Sequence, residues 1–101
     1  MDITQGLKRI IATGKIEYGT KTTIENIQNG KAKAVILAEN TPKEIKEDIT
    51  NYTKNSNIPI IPFNGTSLNL GEICGKPFLI TSIAIINTGD VKIKELIEEK
   101  Q

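Results

Sequence analysis

Glu17-Tyr18-Gly19-Thr20-Lys21-Thr22 is the stretch where the residue types of this chain come nearest to chemistry. An apolar-edged segment, Ile16 to Tyr18, runs into Gly19. A helical pattern begins at Thr20, with Ile24 and Ile27 on one side. Gly19 has no Cβ, so a backbone or a base can approach it closely. The free amides and positive end of the following helix favour an anion. Lys21 adds a mobile charge, and Thr20 and Thr22 add hydroxyl donors. A plain strand-to-helix turn carrying a surface lysine satisfies the same pattern. From this stretch alone both readings stand.

Other chemistries have weaker material. Histidine is absent and Cys74 is the only cysteine. This excludes disulfides, Ser-His and Cys-His nucleophile pairs and the usual zinc sites. A phosphate loop closes on Gly-Lys-Ser/Thr after several glycines, whereas "YGTKTT" offers one. The glycines of "NGTSLNLGEICGK" lack dinucleotide spacing, and no clear ribose-binding acid follows them. Glu44, Glu47 and Asp48 share a charged helix and read as a solvated face. Cys74 reads as a small buried hydrophobe on a short helix. The expectation is a protein that is no enzyme and needs no cofactor or metal.

The elements that must position Gly19–Thr22 follow from periodicity. Ile3, Leu7, Ile10 and Ile11 define an amphipathic helix closed by Gly14. Residues 15–18 form a short strand, and a second helix runs from Thr20 to Gln28, stopped by Asn29-Gly30. The continuous apolar run Ala34 to Ala38 reads as a strand buried on both faces. "TPKE" predicts a capping box, with Thr41 as N-cap, Pro42 at the first helical position and Glu44 completing it. That helix presents Ile45, Ile49 and Tyr52 as its apolar stripe and ends near residues 55–57. "IPIIPF", bracketed by Pro59 and Pro62, reads as an edge strand. A turn and a short helix follow, capped by Thr66 or Ser67 and ended by Gly75. "FLITSIAII" is the longest strand candidate. After a turn at "NTGD", Asp90 caps a last helix with Ile93, Leu96 and Ile97 facing inward. Helix and strand alternate four times before that helix, the order of an α/β domain with helices on both sheet faces.

Bulk properties agree. At 101 residues, 38% hydrophobic and 25% charged, the chain reads as a single domain over residues 1–101 with one core. It has no apolar run of membrane-spanning length and no signal-peptide pattern at its start, so a cytosolic protein is expected. The net charge of +1 argues against a heavily basic nucleic-acid binder. The distribution is less even. From Lys8 to Lys33 six basic residues face two acidic ones, a local balance of +4, while acids gather around residues 39–48 and 90–99. Segments after buried strands tend to line one rim of an α/β domain, which places Asn40 near Gly19–Lys21. Phe78, one of four aromatics, follows Gly75-Lys76-Pro77. It reads either as a core ring or as an exposed ring beside a lysine, the pairing that holds unstacked RNA bases.

Three blocks, in order, resemble the ribosomal L-thirty-e family of archaeal and eukaryotic large subunits, within the L-seven-A-e superfamily that binds kink-turn RNAs. In "TGKIEYGTKTTIENIQNGKAKAVILA", Gly19, Lys21, Ile24, Gly30 and Lys33 stand where the family has them. "AENTP" follows, at residues 38–42. "NLGEICGKPFLITSIAIINTG" keeps Leu70-Gly71, Gly75-Lys76 and Gly89 in register. The resemblance spans nearly the whole chain. It implies a three-layer α/β/α sandwich around a four-stranded mixed sheet. It also implies RNA contacts from Gly19, Thr20, Lys21 and Thr22, from Asn40, and from Phe78, Leu79 and Ile80. The lysine and asparagine engage sheared G·A pairs and nearby bases in that family, and the aromatic packs on an unpaired base of the bend.

Glu25 and Gln28 depart from basic or neutral residues usual in the family, which weakens the electrostatic share of binding. Asn69 and Glu72 replace a typical acid and a small residue. The sister subfamily of guide-RNA particles has Asn-Glu after Gly-x, where this chain has Lys21-Thr22. The expectation is therefore a structural constituent of the large ribosomal subunit that binds a kink-turn in rRNA, touches neighbouring ribosomal proteins and is a monomer when free. The alternatives are a kink-turn protein of a guide-RNA particle, an autoregulator of its own message, and a small phosphate-handling α/β enzyme.

Overall fold

The computed structural model describes residues 3–94. In chain order the elements are α1 (Ile3–Thr13), β1 (Lys15–Tyr18), α2 (Thr20–Gln28), β2 (Ala34–Leu37), α3 (Lys43–Ser56), β3 (Ile60–Pro62), α4 (Ser67–Ile73) and β4 (Ser82–Asn87). The four strands form one mixed sheet in the order β1-β4-β2-β3. β4 runs antiparallel to both β1 and β2, while β3 pairs parallel with β2.

Successive side chains of a strand point to opposite faces, and the apolar residues divide accordingly. Ala34, Ile36, Ile61, Ile83 and Ile85 face α1 and α4, meeting Ile3, Leu7, Ile10 and Leu70 in one core layer. Val35, Leu37 and Ala84 face α2 and α3, meeting Ile27 and Ile49 in the other. All four residues of β2 are buried, as a strand covered on both faces requires. The result is the three-layer α/β/α sandwich, with β3 at the sheet edge that its two prolines foretold.

Four local expectations change. Thr41 does not cap α3, and no capping box forms there. The N-cap is Pro42, without a side-chain hydrogen bond. The Thr41 hydroxyl is instead directed at the Ala38 and Thr81 carbonyls, 2.8 and 3.1 Å away, and Thr41 is buried. Tyr52 is not part of the inward stripe of α3: it is exposed, and the neighbouring Thr53 turns in beside Ile49. The strand predicted from Phe78 starts only at Ser82, because β1 ends opposite Ile83 and β2 ends opposite Ser82, so no strand runs on beside residues 78–81. Asp90 places its carboxylate on Arg9 Nε at 3.1 Å and accepts from the Thr13 hydroxyl. The Leu96 and Ile97 part of the last helix lies outside the described residues. The short helix α4 is capped by Thr66, and Asn69 answers it in a reciprocal capping box.

Candidate nucleic-acid interface

Gly19 makes the corner between β1 and α2. Its φ of 99° is a conformation that side-chain-bearing residues rarely adopt, and a Cβ there would meet open space, so conformation and not crowding demands glycine. The Gly19 amide donates to the Ser82 carbonyl at 3.0 Å, which pins the corner to β4. No side chain caps α2, so its first-turn amides have no side-chain acceptor, and Lys21 among them is exposed.

Asn40 follows β2 and is held by the start of α4. Its Oδ1 accepts from the Ser67 amide at 2.8 Å, and its Nδ2 donates to Ser67 Oγ at 3.2 Å. An amide side chain has two N–H groups, so this leaves one donor of Asn40 for an outside partner. Thr81, which sequence reasoning missed, ties the two corners together. Its carbonyl accepts from the Ala38 amide at 2.9 Å and from the Thr41 hydroxyl, while its own hydroxyl lies 3.4 Å from that of Thr20. The only signal was a hydroxyl interrupting an apolar run at the mouth of β4.

Residues 76–80 form the third side. Phe78 is 46% exposed and Leu79 is 64% exposed, so both present side chains outward. Ile80 is 1% exposed, and its amide donates to the Ser67 carbonyl; its side chain belongs to the core and offers no surface contact. A Cβ on Gly71 would meet the Phe78 carbonyl, so the glycine lets α4 press against this segment. The Phe78 ring lies 5.6 Å from the Tyr18 ring, tilted by 46°, and Lys76 Nζ lies 5.5 Å from the centre of the Tyr18 ring. Cys74 is half-buried against the core, as its reading foresaw in part.

Gly19–Thr22, Asn40 and Phe78–Leu79 are thus carried by segments linked through Thr81, Ser82 and Ser67. None of them lines the cleft of about 400 Å³ beside β3, which is bordered by Leu37, Lys46, Thr50, Ile60 and Pro62. An open rim of amides, a lysine, an amide side chain and an exposed ring suits an extended polyanion with exposed bases better than an enclosed small molecule.

Fold and rim define an α/β/α sandwich with a polyanion-compatible edge. The chain belongs to the Ribosomal protein L7Ae/L30e/S12e/Gadd45 family, matched over residues 1–95. It is 41% identical to the large ribosomal subunit protein eL30 of Methanocaldococcus jannaschii over 101 residues, covering 100% of this chain and 92% of the relative. It is 44% identical to the eL30 protein of Saccharolobus solfataricus, covering 93% and 87%. The solved structure of a protein of unknown function from Bacillus halodurans shares the fold, with a TM-score of 0.75 at 21% identity over 96% of this chain and 95% of that one.

Proposed function

We propose that this chain is a structural, non-catalytic constituent of the large ribosomal subunit, working in the cytoplasm on the ribosome, and that it binds a kink-turn in rRNA. Its relatives at about 40% identity over nearly full length are large-subunit proteins, which supports the ribosomal assignment. The observation that carries the RNA reading is the joining of three segments at one rim: Gly19 on Ser82, Thr20 on Thr81, and Asn40 on Ser67, whose carbonyl also holds the chain just after Phe78 and Leu79. In this reading the α2 amides and Lys21 hold the crowded phosphates of the bend. Thr20 and Thr22 lend hydroxyls, Asn40 reads a base edge, and Phe78 with Leu79 packs on an unpaired base. A bend of this kind exposes unstacked bases that regular A-form RNA hides.

The test is a titration with a kink-turn RNA and with a control lacking the two G·A pairs, at several salt concentrations. Preference for the bent RNA, lost in Lys21→Ala, is the expected result. Lys21→Ala should also reduce the slope of log affinity against log salt by about 0.7–0.9, the share of one phosphate contact. Equal affinity for both RNAs, collapsing as salt rises, would leave only a weak basic patch.

A further inference from the structure

Tyr18 and Lys76 have no part in the RNA contacts proposed so far, yet they lie with the exposed ring of Phe78. Tyr18 is the last residue of β1. Its backbone is paired with Ile83 of β4, and its side chain packs on the core layer beneath α1 and α4. The ring is therefore anchored in the sheet. Phe78 leans on it at 5.6 Å while keeping nearly half of its own surface open. Gly75, with φ of 72°, reverses the chain after α4 and brings Lys76 back over the same ring. The ring face attracts the ammonium, whose N–H donors stay at the exposed surface.

We infer that Lys76, Tyr18 and Phe78 form one nucleotide seat. An unpaired base stacks on Phe78, Lys76 takes a phosphate of the same nucleotide, and Tyr18 is the positioning residue that holds both side chains. The inference deepens the kink-turn reading and rests on it. A stacked ring with a cation alongside satisfies both halves of a nucleotide, its π-face and its charge. Anchoring that ring from behind removes motion that binding would otherwise have to freeze.

The experiment uses the full chain with a kink-turn RNA and with the same RNA made abasic at the unpaired nucleotide. Tyr18→Leu keeps apolar volume on β1 but removes the ring. It should weaken binding of the base-bearing RNA about ten-fold and of the abasic RNA several-fold less, by the Lys76 share alone, and Tyr18→Phe should restore both losses. Lys76→Gln should lower affinity for both RNAs and reduce the salt slope by about 0.7–0.9. The chain has two tyrosines, so in a Tyr52→Phe background the fluorescence reports Tyr18 alone. That signal should change with the base-bearing RNA and hold with the abasic one, a readout that stands even where Tyr18→Leu does not fold. Equal losses on both RNAs, a silent Tyr18→Leu, or unchanged fluorescence with both would overturn the inference while leaving the preference for bent RNA intact. A wild-type chain that binds bent and control RNA alike overturns the reading and the inference together.

Discussion

Burial pushes the Cys74 thiol above its ordinary pKa, and the neighbouring Lys76 ammonium opposes the shift only in part. The folded chain therefore keeps this proton at pH values where the unfolded chain has begun to lose it. The stabilising contribution is complete below about pH 8.5, the unfolded value, and is lost as pH rises towards the folded one. Urea melts between pH 7 and 9.5 should show a decline in stability that Cys74→Ala lacks, and a slope shared by both chains would remove the thiol as its cause. Phe78 sets a different residue-scale contrast. With almost half of its surface open, truncation forfeits only part of a core ring's burial. Phe78→Ala should cost about 1 kcal/mol of stability and about 1–3 kcal/mol of RNA affinity. Thermal melts and titrations check the two numbers side by side. A large melting loss with unchanged affinity would return the ring to the core. The sequence left these two roles open because "FLI" is uniformly apolar: nothing in it marks Ile80 as the one inward residue. Exposure of Phe78 and Leu79 follows from where the neighbouring strands stop, a property of the sheet and not of the tripeptide.

Among the elements, helices and strands were legible wherever their apolar period was long enough to specify a buried face. The heptad-like stripe of α1, the continuous run of β2 and the proline-bracketed β3 all formed where the pattern placed them. The errors at Thr41 and at the start of β4 trace to tertiary neighbours that a local window does not contain. Thr41-Pro42-Lys43-Glu44 has the spacing of a capping box, but the Thr81 carbonyl, forty residues away, competes for the hydroxyl. The same carbonyl receives the Ala38 amide, so the end of β2 and the start of α3 hang on one residue before β4. Thr41→Val preserves shape while removing the donor. It should cost about 1 kcal/mol, or roughly 4–8 °C in melting temperature, with helix content by circular dichroism unchanged before melting. A loss of helix signal without a melting shift would instead restore the cap. At the opposite corner the candidate site was legible as residue types, Gly19 and Lys21 with Asn40, but not as a joined unit. Thr81 and Ser67, which join it, carry no sequence signature beyond being small and polar.

Taken as a whole, the molecule guards both ends of its sheet. β3 is three residues long, preceded by Pro59 and ending on Pro62, and β1 carries Lys15 and Glu17 on its four residues. Short edges bearing proline and charge disfavour strand-to-strand association, so the free chain is proposed to be a monomer that binds one RNA bend per molecule. Its charge sets the character of that binding. Thirteen basic residues against twelve acidic ones leave a net charge of +1, too little for a long phosphate track. Among the described residues, the proposed reading sets Lys21, Lys76 and the α2 amides against phosphates at the rim, equivalent to roughly three contacts and a salt slope near −2. A four-fold rise in salt should then weaken binding about twenty-fold, against the thousand-fold or greater loss of a protein with six to ten phosphate contacts. With Asn40 and Phe78 proposed to act on bases, the preference for bent over control RNA should persist across that range, with a stoichiometry of one to one. Titrations at 50 and 200 mM salt (about the span over which such losses are compared) decide it. A slope steeper than about −5 together with vanishing preference would mean that the wider basic segment from Lys8 to Lys33, and not the Thr81-centred rim, holds the RNA.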